Sequence, residues 1–440
     1  MIVPASAVAG LAALLAQAAQ AAPTASFDLA QAQTRLFAAS PELRIDAAER
    51  NRIRAQRDEA WAAFLPSVDA YASYQAFTEA NHIHMQLPPS NAVIDRDLGD
   101  RDREEYGVDV SWPLYAGGQR RRLVRARDAS LGSAEASGRA LRNRLSLRLA
   151  GTYYGWLAAD TAARTQIEAA RAWREAMDQA AAEVRRGSAL RSREADARAR
   201  WLTAEVDARA AADLRDSIGR AAALLLDLPP DSPPSFAPPA DTTPVVAAPA
   251  NAAGERPEIG ALRLAAESAT QQEKALFGQN LPAISAMAGY RLANPGLDMG
   301  GESYMNYGVI GLQARWNLFD GFRNVARRAQ ARAQREAIES EKTRQEAFWS
   351  EAALSSSRAR ARLDGSLEAA RAALDAAREA RVEREAQGRQ GAALDVDRTA
   401  ARVQEMRAAL QVRQVELQRM MAAWQERFAR GETLDFSGKE

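Results

Sequence analysis

The chain repeats itself, and a repeat this long constrains the symmetry of whatever it folds into. Pro41-Glu42-Leu43 opens a helical stretch that ends at Leu65-Pro66 and runs on to Tyr74. Pro257-Glu258-Ile259 starts the same layout 216 residues later, through Leu281-Pro282 to Tyr290. Trp112-Pro113-Leu114-Tyr115-Ala116-Gly117 returns as Trp316-Asn317-Leu318-Phe319-Asp320-Gly321, and Arg186-Gly187-Ser188-Ala189-Leu190 as Gln390-Gly391-Ala392-Ala393-Leu394, both displaced by 204. A duplicated unit of about 200 residues predicts a pseudo-symmetric product. Function then belongs on the symmetry axis and not in a single pocket.

Several function classes drop out on composition. Lys+Arg 58 against Asp+Glu 57 leaves a net charge of +1, so there is no bulk attraction to nucleic acid. The absence of cysteine removes disulfides, thiolate metal sites, cysteine nucleophiles and a lipidated amino-terminal cysteine. The two histidines, His82 and His84, lie in a long loop, Phe77 to Asp102, with no fixed third ligand, so no metal site is expected. No nucleophile elbow, phosphate loop or metal-binding helix occurs, and neither a cofactor nor an enzymatic activity is expected. Residues 1–22 form an uncharged apolar run ending in Ala19-Gln20-Ala21 and read as a signal peptide, although no basic residue precedes Arg35. No other stretch approaches the roughly 20 apolar residues of a spanning helix. A membrane location would therefore require a β-barrel.

Between Pro113 and Pro229, and again after Pro295, there is no proline. Both spans are rich in strong helix formers, with turn signals only near Gly187 and Gly388 to Gly391, so each reads as a helical hairpin. From Gly118 to Arg186 one arm would be about 100 Å long at the α-helical rise. Helices of that length must bury their apolar stripe along one another in a coiled bundle. Residues 229 to 257 hold nine of the 18 prolines and read as an extended linker. The predicted organisation is a signal peptide at 1–22, a first repeat at 23–228, a linker at 229–256, a second repeat at 257–430 and a tail at 431–440.

Four segments alternate with period two, at about 67–77, 105–115, 283–293 and 307–319. One face carries Val68, Tyr74, Tyr106, Val108, Trp112, Leu114, Ile284, Tyr290, Ile310 and Leu312. The other carries Asp69, Asp109, Arg291, Gln313 and Arg315, the candidate lumen residues, since rings of charge tune a pore. Strands of about ten residues with one apolar face and aromatic ends match membrane-barrel strands; the alternative is two soluble hairpins packed on helices. Four strands cannot close a barrel, and an open edge inside lipid has no water to bond. Three copies would supply twelve strands, enough to enclose a passage. The fold class expected is mainly α, with a small membrane β-barrel portion completed by a trimer. Trp112, Tyr115, Trp316 and Phe319 would form an interfacial aromatic belt, and Gly117 and Gly321 the sharp turns beneath it.

The Pro-Glu-Leu near the start, the run from Ala60 to Leu65-Pro66-Ser67, the Trp-x-Leu-aromatic-x-Gly turns and the glycine-centred hairpin tips together resemble the TolC family of outer membrane efflux proteins, over nearly the whole chain. The resemblance implies a homotrimeric channel-tunnel in the outer membrane of a Gram-negative bacterium, with most of its mass in the periplasm. It also implies a periplasmic adaptor (membrane fusion) protein and an inner-membrane transporter of RND, ABC or MFS type as partners, with outer membrane lipid around the barrel. The tube would serve small-molecule efflux or, alternatively, type I protein secretion; a pore-less periplasmic coiled-coil scaffold is the reading from another class. The family's adaptor-docking motif maps onto Gly391, Ala392, Ala393 and Leu394, with Gly187, Ser188, Ala189 and Leu190 as the first-repeat equivalent. Asp397 matches the family's acidic position, but Arg193 stands where the first repeat would carry aspartate. Arg191 and Arg193 pairing with Asp395 and Asp397 would close the mouth by a ring of intra- or intersubunit ion pairs.

Overall fold

The computed structural model describes residues 26–79, 81–90, 92–98, 101–239, 255–297, 303–390 and 395–436. In chain order the elements are β1 (Ser26–Phe27), α1 (Leu29–Ala39), α2 (Pro41–Ala62), β2 (Ser67–Ala76), β3 (Asn81–Leu87), β4 (Ala92–Leu98), β5 (Asp102–Ala116), α3 (Gln119–Arg185), α4 (Arg191–Leu225), β6 (Ser235–Phe236), α5 (Pro257–Gly278), β7 (Ala283–Asn294), β8 (Met305–Arg315), α6 (Arg323–Arg389) and α7 (Asp395–Ala429). The duplication is explicit in their lengths. The helices α2 and α5 have 22 residues each, α3 and α6 have 67, and α4 and α7 have 35. The displacement falls from 216 to 204 because β3 and β4 occupy the first hairpin, where the second has only residues 295–304 between its strands.

Local chemistry accounts for the element ends. Asp28 caps α1 in a reciprocal box: its carboxylate accepts from the Gln31 amide at 2.7 Å, and the Asp28 amide donates to Gln31 Oε1 at 3.1 Å. Pro41 and Pro257 occupy first helical positions, where a missing N–H costs nothing. Gly187, at φ +73°, closes α3.

β2, β5, β7 and β8 form one antiparallel sheet in that order. β3 and β4 form a separate hairpin, and β1 pairs in parallel with β6. The segment 77–102, expected to be loop, therefore holds a sheet of its own. Its strands alternate His82, His84, Gln86 with Ile83, Met85, Leu87, and the Pro88-Pro89 turn between them masks that signal.

By contacts the chain divides into two compact units, one of Met1–Ala47, Ser137–Ile259 and Arg344–Glu440, the other of Ala48–Ala136 and Gly260–Thr343. The first unit is mostly helical. Its main core joins Leu149, Tyr153, Trp156 and Leu157 of α3 to Ala222 and Leu226, to Leu417 and Trp424 of α7, and to Phe236. That last residue comes from the proline-rich run, so the run is anchored, with Tyr153 donating its hydroxyl to the Ala237 carbonyl at 2.6 Å. A second core is built of small residues: Ala169, Ala172, Ala176 and Ala180 with Trp173 on α3 meet Ala197 and Ala204 on α4 and Val396 and Val403 on α7. The buried Gln33 side chain fixes the C-terminal tail, donating to Ser146 Oγ (2.8 Å) and the Leu434 carbonyl (2.7 Å) and accepting from the Phe436 amide (2.8 Å). The second unit holds the four-stranded sheet, the β3–β4 hairpin and the first turns of α3 and α6, while the β1–β6 pair belongs to the first unit. Among the described residues no helix is long and apolar enough to cross a membrane.

Candidate functional site

The four-stranded sheet sorts its side chains by chemistry. Register places Asp69 opposite Asp109, Asp109 opposite Gly289, Gly107 opposite Arg291, Ser285 opposite Gln313 and Ala283 opposite Arg315. All five predicted lumen residues thus share one face. On that face the sheet assembles a cluster that includes a residue sequence reasoning missed, Glu105. Its Oε1 accepts from the Tyr71 hydroxyl at 2.6 Å and from Arg291 Nη1 at 3.3 Å, while Arg291 Nη2 lies 3.6 Å from Asp109. Arg291 thereby offsets the two aspartates that face each other across β2 and β5. Glycine makes room for this: a Cβ on Gly107 would sit 2.8 Å from the Tyr71 ring, and one on Gly289 2.3 Å from Asp109 Oδ1.

The opposite face is apolar and bare. Val68, Tyr74, Tyr106, Trp112 and Tyr290 are exposed, Leu312 is 75% accessible and Ile310 91%. A contiguous apolar surface of this kind marks contact with lipid or protein. The sheet also ends in two unpaired edges, β2 and β8, each able to pair with a further strand.

Where strand passes to helix, the two repeats build the same latch. Trp112 donates its indole N–H to the Phe64 carbonyl, and Trp316 donates its own to the Asn280 carbonyl, both at 3.0 Å. Phe64 and Asn280 are themselves repeat mates, 216 apart, and as backbone acceptors they left no trace in residue type. The turns below need left-handed backbone: φ is +59° at Gly117, +73° at Gly118, +69° at Gly321 and +63° at Phe322. A bulge between Pro113 and Tyr115 shifts the register so that Tyr115 faces Ile284, on the apolar side. Simple alternation puts Leu114 there. Arg120 Nη1 donates to the Pro113 carbonyl at 2.8 Å, and burial pulls Arg120 below the usual guanidinium range.

At the far end of the first hairpin, the Gly187 amide donates to Val184 and the Ser188 amide to Glu183, each at 3.0 Å. This is the paired closure of a helix C-terminus by a left-handed glycine. Leu190 is 77% exposed beside it. The second tip, Gly391, Ala392, Ala393 and Leu394, lies outside the described residues. The expected pairing of Arg191 and Arg193 with Asp395 and Asp397 is not made within the chain. Arg193 bonds Glu183 of its own hairpin at 2.7 Å, and Asp395 pairs with Arg398 one turn along α7. Local partners win because the hairpin and the helix turn bring them together without further ordering. His82 and His84 both lie against Asp95 of β4. Among the described residues no group of three or more His, Asp or Glu side chains is arranged to hold a metal.

Comparison with known proteins agrees with this geometry. The family model described as outer membrane efflux protein matches residues 34–224. Among solved structures, VceC of Vibrio cholerae aligns with TM-score 0.75 at 18% identity, over 92% of this chain and 96% of that one. The Campylobacter jejuni CmeC outer membrane channel aligns with TM-score 0.77 at 15% identity, over 93% and 87%. The open state of the Neisseria gonorrhoeae MtrE outer membrane channel aligns with TM-score 0.74 at 18% identity, over 95% and 92%. At these identities the likeness establishes the fold, which is mainly α with a four-stranded sheet that does not close within one chain. No curated protein matches the chain.

Proposed function

We propose that this chain, which matches the outer membrane efflux protein family model over residues 34–224, is a member of that family and forms a homotrimeric outer-membrane conduit for small molecules. It is a passage and not a catalyst. The observation that carries the reading is the sheet: apolar and exposed on one face, charged and hydrogen-bonded on the other, and unpaired at both edges. Three copies joined β8 to β2 would satisfy both edges in an antiparallel barrel of twelve strands. The bare face would then meet lipid, and the Tyr71, Glu105, Asp109 and Arg291 cluster would line the pore.

The helix α6 points the same way. Most of its surface is accessible, which an isolated 67-residue helix would not maintain. A neighbouring copy and a water-filled lumen would account for its two open sides. The tips at Gly187 and Gly391 would receive a periplasmic adaptor, the inner hairpins would splay outward on opening, and an inner-membrane transporter would supply the energy.

The test compares a deletion strain with its parent across antibiotics, dyes, bile salts and metal ions, with secreted proteins profiled in parallel. Sensitivity to a set of small toxic compounds, restored by the intact gene, is the expected result. One missing secreted protein with unchanged sensitivity would make the tube a secretion duct. A protein that leaves the membrane on alkaline wash would overturn the barrel.

A further inference from the structure

Beside the Trp112 latch lies a cavity of about 410 Å³ that the conduit reading does not use. Arg120, Arg121, Arg122 and Arg125 line it, together with Phe64 and Tyr115, and no Asp or Glu does. Arg120 and Arg122 are held by neutral oxygens, the Pro113 carbonyl at 2.8 Å and Gln271 Oε1 at 3.1 Å. Arg121 and Arg125 have no carboxylate partner among the described residues. Two unpaired arginines, Arg121 and Arg125, beside two more at one cavity with no acidic residue in its lining call for an anion.

The position of the cavity indicates which anion. Trp112 stands on the bare apolar face, and its indole bonds the carbonyl of Phe64, which lines the cavity. A ligand with its phosphate among the arginines would lay its tail along that apolar face. The corresponding cavity of the second repeat is smaller, about 170 Å³, and Asp320 lines it beside Arg323 and Arg327. Only the first repeat therefore has the uncompensated charge.

We propose that the Arg120, Arg121, Arg122 and Arg125 cavity binds the headgroup phosphate of an anionic glycerophospholipid in the membrane leaflet where the strands pass into helices. This rests on the membrane reading above. Arginines at a bilayer surface each favour anionic lipid several-fold, so removal of two should weaken retention on the order of tenfold.

The test places the full-length protein in bilayer discs of mixed zwitterionic and anionic glycerophospholipid, exchanges it into detergent and measures the lipid that stays bound. Wild type is expected to retain the anionic lipid preferentially. Arg121→Gln with Arg125→Gln should lose that preference about tenfold, while Arg198→Gln with Arg220→Gln, an equal charge loss at exposed positions on α4, keeps it. A wild type that holds both lipids in the ratio supplied overturns the proposal, as does an unaffected double variant. Displacement of the lipid by millimolar inorganic phosphate overturns it too, because the site would then be one for a soluble anion. Heat-modifiable trimer on the same gels reads the membrane assignment separately: no trimer in wild type sinks that assignment, whereas a trimer without lipid preference sinks this one.

Discussion

The hairpin of α3 and α4 and the hairpin of α6 and α7 have the same helix lengths and place different chemistry at their matched positions. At matched positions, 204 apart, Leu149, Tyr153, Tyr154, Trp156 and Leu157 of α3 become Ala353, Ser357, Arg358, Arg360 and Ala361 of α6. Trp156 and Ala222 share a buried cluster; their mates Arg360 and Glu426 form an ion pair at 2.9 Å. Arg174 lies over the Trp201 ring at 6.0 Å, and the mates of those two, Arg378 and Glu405, pair at 3.6 Å. Nearer the sheet the exchange is one of sign. Arg57 bonds Asp128 at 2.8 Å in the first repeat, and Glu273 bonds Arg332 at 3.4 Å in the second. The duplicated backbone has thus kept its meeting positions while changing the force at each. At these matched positions the first hairpin relies on burial, which does not respond to salt, and the second on charge, which does, beside an apolar cluster of Leu367, Ala370 and Val415 that also joins α6 to α7.

The sharpest way to break this contrast is to cut the aromatic core. Tyr153 is 1% accessible, so Tyr153→Ala should cost about 3 to 5 kcal/mol, as large-to-small changes of buried aromatic side chains do. The matched Ser357→Ala should stay within about 0.5 kcal/mol. Denaturant midpoints of the two variants measure the difference, and equal shifts would mean that the hairpins are not distinct.

Among the described residues of α6 and α7 the buried charged side chain is Glu426, 4% accessible and set between Arg360 at 2.9 Å and Arg430 at 2.5 Å. Glu426→Ala takes a buried carboxylate away from Arg360 and Arg430. It should cost about 3 kcal/mol, the lower end for breaking a buried pair by removing one partner. A smaller loss than that of an exposed pair such as Arg209 with Glu205 would place Glu426 among the solvated charges.

The two turns offer a graded version of the same comparison. Gly117→Ala and Gly321→Ala both put a side chain in left-handed backbone, at about 1 to 2 kcal/mol each. A Cβ on Gly117 would also meet the Gly278 carbonyl oxygen at 2.1 Å, whereas one on Gly321 meets nothing within 4 Å. The first variant should therefore lose about 1 to 3 kcal/mol more, the usual cost of overpacking. Denaturant midpoints of the two variants read this, and equal midpoints would show that the loop at Gly278 yields.

What could be read in the residues and what could not follows the same division between backbone and side chain. The duplication, the four alternating strands and the glycine turns were legible because each repeats a residue type at a fixed spacing. The bulge at Pro113 to Tyr115 was not, since alternation assumes one residue per register step. Glu105 was missed because a carboxylate next to Glu104 at the start of a strand looks like surface charge, and only the register brings Arg291 and Tyr71 to it. The insertion of Phe236 into the core was hidden by the prolines around it. A lone large apolar residue in Ser235-Phe236-Ala237 was the available signal.

Burial also predicts a difference in alkaline response. The Tyr153 and Tyr154 hydroxyls are held above the ordinary phenol range, in both cases chiefly by burial. In the unfolded chain tyrosine ionises near about pH 10. The stability tied to these groups is complete below that pH and is lost as pH rises above it, since only the unfolded state then releases the protons. Tyr154→Phe should flatten the alkaline limb of stability against pH, and an unchanged limb would mean that the first hairpin opens before its tyrosines matter.

The smallest expected effect tests whether the two forces are interchangeable. Glu405 receives Arg378 at 3.6 Å and also pairs with Arg381, where the first repeat has Trp201. Glu405→Trp would give α7 the first hairpin's solution, with Arg378 free to stack as Arg174 does. An exposed ion pair and an exposed cation–π interaction are each worth about 0.5 to 1 kcal/mol, so stability at low salt should change by less than about 1 kcal/mol. The salt dependence should shrink, because an exposed ion pair is screened by salt whereas an arginine stem laid on an indole holds mainly by packing. Denaturant midpoints at low and high salt decide it. A variant as salt-sensitive as the parent would show that Glu405 contributes nothing to closing the hairpin, and that the other pairs between α6 and α7, such as Arg419 with Asp364 at 2.5 Å, hold it closed.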